Sequence, residues 1–418
     1  MLSNPGLMML LYSPPMIRAG VGLESLVSSR GRTRGGAAGT PAASGRAAVE
    51  RACERALERS GGADSAILFA TPGADLGIGE ILDVAISALG TDVVVGATAH
   101  GVMGGGQEIE GEPAIAVLAQ TGIEARPFLI SGLQSDDTGT GEEIAAHIDG
   151  PPRDGDLVIL LPDPRVLQPS PLLAGIREAL GPACVVGAGA GDPFADEPLQ
   201  WCGRRVESGA LAGVVLRATK PAQVGVTQAC RPVTELLTAT RTQGNWVLEL
   251  DGRPALDVYR EVARAPLAED LRRAAAFLLV ALPRREADPL QPGGYLVRNV
   301  AGFDTERRAF AIPEIVRNGR QIALATREPE AARDDLKAML AGVSNGVSAL
   351  GLYFNCCARG AGFFGVPGLE AAYLENALGD TPVLGMFGSC EIGPIGAASV
   401  ASETELLTYT GVLALLED

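Results

Sequence analysis

The feature that most constrains the fold of this chain is a spacing that occurs three times along it. Each copy has an Ala-Leu-Gly triplet, followed six residues after its glycine by a second glycine. The glycine pairs are Gly90 and Gly96, Gly181 and Gly187, and Gly379 and Gly385. The first glycine suits a left-handed helix end, and the second suits a buried strand that approaches a neighbour closely. The spacing predicts a β-helix-β-loop-β unit used three times.

Apolar runs flank each copy and set the fold class. Runs that precede the triplets cover residues 66–70, 157–161 and 349–354, and runs that follow the loops cover residues 114–119, 212–216 and 410–416. Strand-like runs that alternate with helical segments are typical of α/β proteins. Aromatic residues make up only 4% of the chain, which favours a core of small aliphatic side chains on buried parallel strands.

The length of 418 residues predicts two or three domains. A change in composition and Pro221 place a boundary near residue 220, which gives one α/β domain over 16–220 and another over 221–418. Residues 1–15 are expected to be a disordered or misassigned start, with Met16 as the expected true beginning. Their apolar segment lacks a basic leader and ends at Pro14-Pro15, so it does not resemble a signal peptide.

The C-terminal half adds a mainly antiparallel sheet to the repeated unit. Apolar runs at 277–282, 295–300, 309–312 and 321–325 indicate its strands. A hairpin is predicted between residues 223–229 and 246–250, followed by the Asp251-Gly252 turn. A helix over 329–341 then leads into the third unit.

Charge and cysteine usage restrict the partners and the compartment. The formal net charge of −16 opposes binding to nucleic acid or to anionic lipid. Seven scattered cysteines without a C-x-x-C pair suit a reducing cytoplasm better than a disulfide framework. No segment approaches the roughly 20 apolar residues that a membrane span needs. We therefore expect a soluble cytoplasmic protein with no nucleic-acid or membrane partner.

Two loops of the third unit carry the main candidate site. Strands that end at Phe354 and Phe387 should pair in parallel, which brings the loops after them to the same edge of the sheet. A ligand pocket is predicted there. Its expected lining residues are Asn355, Cys356, Arg359, Ser389, Cys390 and Glu391.

The chemistry of these loops is complementary to a zwitterion such as an amino acid. Arg359 and the amides of the glycine-rich loop could hold a carboxylate, and Glu391 could hold an amine. Structural alternatives remain open. Glu391 could cap a helix, Arg359 could form a surface ion pair, and Cys356 and Cys390 could be small buried side chains.

Equivalent strand-end positions in the first two units are occupied by His100 and Asp192. Both are candidate ligand contacts, although a loop histidine is more often simply hydrogen-bonded or solvated. Two histidines without a patterned set of Cys, Asp or Glu do not predict a metal site. The chain has no P-loop, no G-x-S-x-G motif and no convincing dinucleotide fingerprint, so no cofactor and no catalytic residue is predicted.

Several motifs together resemble the FIST family, whose paired FIST N and FIST C domains form a sensory module of signal-transduction proteins. They include Val95-Gly-Ala-Thr-Ala-His-Gly101, Asp251-Gly-Arg-Pro-Ala-Leu-Asp-Val-Tyr259, Phe354-Asn-Cys-Cys-Ala-Arg-Gly360 and Gly388-Ser-Cys-Glu-Ile-Gly-Pro-Ile-Gly396. The similarity extends over nearly the whole chain, from about residue 16 to residue 416.

The resemblance implies a sensor that binds a small ligand, such as an amino acid or a related metabolite. Because no kinase, cyclase or receiver motif is present, output would go through a downstream signalling partner. Two other functions stay open at this point. One is a thiol-dependent enzyme that uses Cys390 or Cys356, and the other is a protein-interaction scaffold without a small ligand.

Overall fold

The computed structural model describes residues 16–417 apart from 28–40, 74, 134–138, 148–152, 154, 168, 181–182, 192–196, 285–289, 291–292, 344–347 and 395–403. The predictions for residues 1–15, Gly181 and Asp192 therefore lie outside the described residues. Within the described part of the chain, no helix has both the length and the apolar character needed to cross a membrane.

The chain is built from three units with the same order of elements. Unit 1 contains β1 (Arg18–Ser25), α1 (Pro41–Ser60), β2 (Ser65–Thr71), α2 (Ile78–Leu89), β3 (Val94–Thr98), β4 (Gly101–Gly104), β5 (Gln107–Glu110) and β6 (Ala114–Thr121). Unit 2 contains β7 (Glu124–Ile130), α3 (Thr140–His147), β8 (Asp156–Pro162), α4 (Pro169–Leu180), β9 (Cys184–Ala188), β10 (Gln200–Cys202), β11 (Arg205–Glu207) and β12 (Leu211–Arg217).

Unit 3 is interrupted by an insert after its first strand, β13 (Gln223–Gln228). The insert contains β14 (Cys230–Pro232), β15 (Leu237–Gln243), β16 (Trp246–Leu250), β17 (Arg253–Pro254), α5 (Ala255–Ala263), a 3₁₀ turn (Leu267–Glu269), α6 (Leu271–Ala275), β18 (Leu278–Pro283), β19 (Tyr295–Arg298), β20 (Gly302–Asp304), β21 (Ala309–Ala311) and β22 (Gln321–Arg327). The unit resumes with α7 (Pro329–Val343), β23 (Leu350–Cys356), α8 (Ala361–Phe364), α9 (Leu369–Leu378), β24 (Val383–Gly388), β25 (Glu391–Pro394), β26 (Thr404–Leu407) and β27 (Thr410–Leu416).

Strand pairing is the same in all three units, which confirms the α/β class and the repeated unit. A central strand pairs in parallel with the strand after the helix, as in β2 with β3, β8 with β9, and β23 with β24. The last strand of each unit pairs antiparallel with the central strand on its other side. The first strand of each unit then pairs antiparallel with the last one.

The units exchange hairpins in a closed cycle. The β4–β5 hairpin of unit 1 pairs with β24 of unit 3, and the β25–β26 hairpin of unit 3 pairs with β9 of unit 2. The β10–β11 hairpin of unit 2 pairs with β3 of unit 1 and closes the cycle. Each hairpin covers the free edge of a parallel strand that its own unit would leave unpaired.

The three sheets enclose one shared apolar core, and the helices cover their outer faces. Alternate side chains of the central strands, such as Ile67 and Phe69, Ile159, and Phe354, belong to this shared cluster. The ring edge of Phe69 packs on Phe354, with ring centroids 6.3 Å apart. The intervening side chains, such as Leu68 and Leu160, pack outwards against the helices. This alternation follows the two-residue period of a strand.

The insert forms the predicted antiparallel sheet, in which β18, β19 and β22 lie close to the predicted runs. The hairpin expected between residues 223–229 and 246–250 is wrong. The first of these segments is β13, which pairs with β27 of unit 3, whereas β16 pairs with β15. Both segments have strand-forming residues, and their partners are decided by burial in two different sheets.

The recurring second glycine permits close contact within each parallel strand pair. Gly96 lies opposite Leu68, and Gly187 lies opposite Leu160. A β-carbon at Gly96 or Gly187 would lie 1.8 or 1.9 Å from the carbonyl oxygen of the opposite residue. A β-carbon at Gly385 would lie 3.0 Å from the carbonyl oxygen of Tyr353. The second glycine of the spacing is therefore explained by the strand pair, which leaves no room for a side chain at this position.

We expect Gly96→Ala to destabilise the protein, because overpacking of this kind typically costs about 1–3 kcal/mol. Gly79→Ala in α2 is the matched control, since a β-carbon there would meet no atom within 4 Å. Denaturant unfolding of both variants gives the comparison. Equal midpoints for Gly96→Ala and Gly79→Ala would show that the close approach does not constrain the fold.

Candidate functional site

The segments that follow the second parallel strand of each unit meet in a ring of backbone hydrogen bonds. These segments are residues 98–101, 188–191 and 387–391, and we call their junction the strand-end ring. Each segment bonds to both of the others. The bonds run from Gly191 N to Thr98 O (2.6 Å), from His100 N to Phe387 O (2.9 Å), from Gly189 N to Cys390 O (2.9 Å) and from Ser389 N to Gly189 O (3.1 Å).

The ring brings together the site residues predicted from equivalent strand ends. His100, Ser389, Cys390 and Glu391 all belong to its segments. The polar side chains are tightly packed there, because a β-carbon at Gly189 would lie 2.4 Å from Ser389 Oγ and 2.8 Å from Cys390 Sγ. Asp192 follows the segment of unit 2 in sequence and lies outside the described residues.

Glu391 is fully buried at the start of β25. Its Oε2 accepts hydrogen bonds from the backbone N–H of Thr410 (3.1 Å) and from the Thr410 hydroxyl (2.6 Å). Its Oε1 has no hydrogen-bond partner among the described residues. Burial, and then the nearby Cys356 thiol, raise the pKa of this carboxyl well above its usual range. The direction of this shift favours the protonated over the ionised form of the Glu391 carboxyl.

Arg359 is also fully buried, and its partner is a residue that sequence analysis missed. Its Nη2 donates to Oε1 of Glu370 at 2.6 Å, and the same carboxylate accepts bonds from the Tyr353 hydroxyl (2.9 Å) and Asn355 Nδ2. The backbone N–H of Cys356 donates to Asn355 Oδ1 at 3.1 Å. Much of the charge of Arg359 is thus already neutralised, although its Nη1 has no partner among the described residues.

A sequence signal for Glu370 did exist. Glu370 precedes the buried Leu374 by four residues on α9, so both side chains lie on the same helical face. A carboxylate on a buried face requires a charged or hydrogen-bonding partner. Arg359, only eleven residues earlier, is the matching cation.

The cysteines of the site have environments that disfavour thiolates. Burial raises the pKa of Cys390 to about 12, and the adjacent Glu391 adds to this effect. A hydrogen bond with the Cys357 thiol, together with burial, raises the pKa of Cys356 well above its usual range. Because the thiolate is the reactive nucleophile, both cysteines are poorly suited to catalysis in this state.

An open cavity of about 220 Å³ lies beside the ring, at the carboxyl ends of β2 and β3. We call it the His100 cleft. Its lining residues include Thr71, Thr98, His100, Glu112, Gly191 and Glu197. Gly191 and Glu197 come from unit 2, so the cleft spans two units. Among the predicted site residues that the structure describes, His100 is the one that lines this cavity.

The two carboxylates that line the His100 cleft, Glu112 and Glu197, make it acidic. Glu112 is exposed at one wall. At another wall, Glu197 Oε1 lies 3.2 Å from Arg165 Nη2, which also binds the buried Asp163 at 2.8 Å. The cleft lining thus contains carboxylates on two sides, and Arg165, outside the lining, pairs with the second of them. No cluster of three or more His, Cys, Asp or Glu in the described part of the chain is arranged to hold a metal ion.

Two glutamates of the β4–β5 hairpin, Glu108 and Glu110, link unit 1 to the helix starts of unit 3. Glu108 on the exchanged hairpin accepts bonds from the backbone N–H groups of Gly368 (3.1 Å) and Ala371 (2.8 Å) at the start of α9. Glu110 accepts one from Ala361 (2.9 Å) at the start of α8. Carboxylates are favourable at helix N-termini. Sequence analysis did not assign this role, because the partners are more than 250 residues away.

Glu370→Gln should lower the free energy of unfolding by about 3–5 kcal/mol, because it leaves the buried guanidinium of Arg359 without its counter-ion. Glu375→Gln on the same helix is the matched control, since Glu375 is exposed. Urea unfolding of both variants measures the difference. A loss below about 1 kcal/mol for Glu370→Gln would place the pair in the range of surface ion pairs and contradict its burial.

Because of Glu108, the free energy of unfolding should fall as the pH rises from about 4.5 to about 7. Burial raises the pKa of Glu108 to about 7 from an ordinary value of 4.5, so the folded protein holds this proton more tightly than the unfolded chain. The stabilisation is complete below the ordinary pKa and is lost as the pH rises through about 7. Unfolding measured across this range should be less pH-dependent for Glu108→Gln. If the free energy of unfolding depends on pH in the same way in Glu108→Gln and in the wild-type protein, the assignment to Glu108 is contradicted.

Comparisons with known proteins find two successive domain families along the chain. A family model described as the FIST N domain matches residues 64–253, and one described as the FIST C domain matches residues 255–394. An uncharacterized protein of Mycobacterium tuberculosis, Rv0628c, is 32% identical over 332 residues, which are 78% of this chain and 84% of the relative. An uncharacterized protein of Mycobacterium bovis, Mb0898c, is 30% identical over 347 residues, which are 81% of this chain and 86% of the relative.

Proposed function

The chain belongs to the FIST family, and we propose that it is a cytoplasmic sensor that binds a small zwitterionic ligand and signals through a partner protein. FIST domains are sensory modules in signal transduction, which sets the general class of function. The proposal adds the chemistry of the ligand, an amino acid or a related metabolite. It also adds the location of the site and the compartment.

The observation that carries the proposal is the His100 cleft beside the strand-end ring. Open α/β sheets bind ligands at the carboxyl ends of their strands, and β2 and β3 end at this cavity. Its volume of about 220 Å³ lies below the range typical of drug-sized ligands, which restricts the proposed ligand to a small metabolite. Because residues of units 1 and 2 both line it, a bound ligand would respond to the relative position of the two units.

The charges around the cleft support a zwitterion. Glu112 lines the cleft and can accept bonds from a protonated amine. Arg165 lies outside the lining, pairs with the lining residue Glu197 at 3.2 Å, and can attract a carboxylate from there. His100 can act as a further hydrogen-bonding contact from the ring. We also propose a contact from Asp192, which follows Gly191 of the cleft in sequence.

The buried cluster of unit 3 is a second locus for the same function. Glu391 and Arg359 each have an unpaired polar atom, Oε1 and Nη1 respectively, although both side chains are fully buried. Unpaired buried polar atoms are costly, and a ligand that bonds to them would relieve that cost. We propose that Asn355 and Cys356 position this pair, and that Ser389 and Cys390 connect it to the ring.

The thiol chemistry favours a sensor over an enzyme. A nucleophilic cysteine needs a lowered pKa, whereas burial raises the pKa of Cys390 and the Cys357 contact raises that of Cys356. All seven cysteines are free thiols, which supports the proposal of a reducing cytoplasm. The net charge of −16 supports a small-molecule ligand over nucleic acid or anionic lipid.

We also propose that the chain divides near residue 220. Units 1 and 2 precede this point, because β12 ends at Arg217, and unit 3 begins with β13 at Gln223. The two family models meet farther along, between residues 253 and 255. A downstream protein would then receive the signal through a change in how the hairpin-exchanged units fit together.

Glu112→Gln should weaken binding of the ligand at least tenfold, because it removes the carboxylate proposed for the amine. Thermal-shift screening with the standard amino acids and with putrescine identifies the ligand, since specific binding raises the melting temperature by mass action. Calorimetric titration then compares Glu112→Gln with Glu58→Gln, an exposed position on α1 away from the cleft. His100→Ala should also weaken binding.

Glu391→Gln separates the two loci. The neutral carboxyl and the amide have nearly the same shape, so the melting temperature of the ligand-free variant should stay nearly unchanged. A tenfold loss of affinity in Glu391→Gln alone would move the site to the buried cluster. Equal affinities in all variants would contradict both assignments. Turnover of a compound that stops when the cysteines are alkylated would favour a thiol-dependent enzyme. A thermal-shift screen in which no compound binds would favour a protein-interaction scaffold.

A further inference from the structure

A second cavity, larger than the His100 cleft, lies between α4 of unit 2, β26 of unit 3 and the insert. Its volume is about 640 Å³, and we call it the arginine cleft. Four arginines line it, with two glutamates and several apolar side chains. The arginines are Arg177, Arg284, Arg298 and Arg320, and the glutamates are Glu314 and Glu405.

This local charge is opposite to that of the chain. Acidic residues outnumber basic ones by 50 to 34 over the whole sequence, yet basic side chains outnumber acidic ones in the arginine cleft. A cavity whose lining has an excess of one sign of charge attracts ligands of the other sign and concentrates them. The arginine cleft is therefore suited to an anion, whereas the His100 cleft is acidic.

The arginines are held in place by the elements around the cleft. Arg298 is only 11% exposed and donates to Glu314 Oε2 at 3.0 Å and to the backbone oxygen of Val297 at 2.9 Å. Arg177 donates to the backbone oxygen of Thr404 at 3.2 Å. Each guanidinium has five N–H donors in a planar fork. Arg298 and Arg177 also lie within ion-pair distance of Glu314 (3.0 Å) and Glu405 (4.0 Å), so the basic excess of the lining is what remains after these two pairs.

The rest of the lining is apolar. Pro169, Leu173, Leu296, Ile315 and Leu406 contribute to it, and Ile315 is 77% exposed. A cavity of about 640 Å³ is far larger than an inorganic phosphate needs and lies in the range typical of organic ligands. Apolar walls with a few oriented charges are the usual composition of such sites.

We propose that the arginine cleft is a second binding site, which takes a small organic anion with a carboxylate or phosphate head and an apolar body. The head contacts the arginines, and the body covers the exposed aliphatic side chains. Because the cleft joins unit 2, unit 3 and the insert, an occupant ties these parts together and stabilises the folded chain. This inference is independent of the ligand proposed for the His100 cleft.

Octyl compounds with different head groups test the proposal on the full chain, each used below its micelle concentration. Octanoate and octyl phosphate carry the expected charges, and octylamine has the same chain with the opposite charge. Calorimetric titration should detect binding of at least one of the two anions and little binding of octylamine. Binding of only one anion identifies the head group, and binding of both shows that charge is sufficient.

Arg177→Gln should weaken anion binding at least tenfold, because it removes one charge-assisted contact from the head group. Arg177 is 42% exposed, so the variant should fold. Arg204→Gln is the matched control, since Arg204 is exposed and pairs with Asp83 outside the cleft. Glu112→Gln should also bind the anion normally, which separates this site from the His100 cleft.

Three results would overturn the proposal. The first is that neither anion binds the wild-type protein. The second is that octylamine binds as tightly as the anions, which would show that only the apolar chain matters. The third is that Arg177→Gln and Arg204→Gln lose affinity equally, which would reduce the effect to overall charge.

Discussion

Backbone pairing at a free strand edge is the interaction on which the rest of this structure depends. The second parallel strand of each unit, β3, β9 or β24, has one edge that its own unit does not cover. An unpaired buried edge would leave N–H and C=O groups without partners. A hairpin from another unit covers each edge. The cycle closes only when all three units are present, so the fold and the strand-end ring arise together.

Local features of the sequence predicted the units but not their exchange. Gly96 and Gly187 report contacts with the directly paired strand, and their spacing was visible because that contact recurs in each unit. The partner of β4–β5 is β24, more than 270 residues later, and no local pattern encodes such a pairing. The wrong pairing of β13 has the same cause, because its partner β27 lies at the end of the chain.

The sequence predicted where the candidate site lies better than it predicted the pairing and protonation of the side chains there. Equivalent strand ends directed attention to His100 and Glu391, and the ring joins their segments. The sequence did not show that Arg359 would be buried against Glu370, or that burial would raise the pKa of Glu391. Such effects depend on which side chains surround a charge in three dimensions. The arginine cleft was missed for a similar reason, since its residues come from distant segments.

Amide hydrogen exchange at the strand-end ring tests the closed junction most directly. The donors are His100, Gly189, Gly191 and Ser389, and their bonds join all three units. If the junction forms as one cooperative element, these four amides should exchange only through global unfolding, with the same free energy as the most protected core amides. Rapid exchange at any of the four, with the strand cores still protected, would show that the units open separately and would contradict the account.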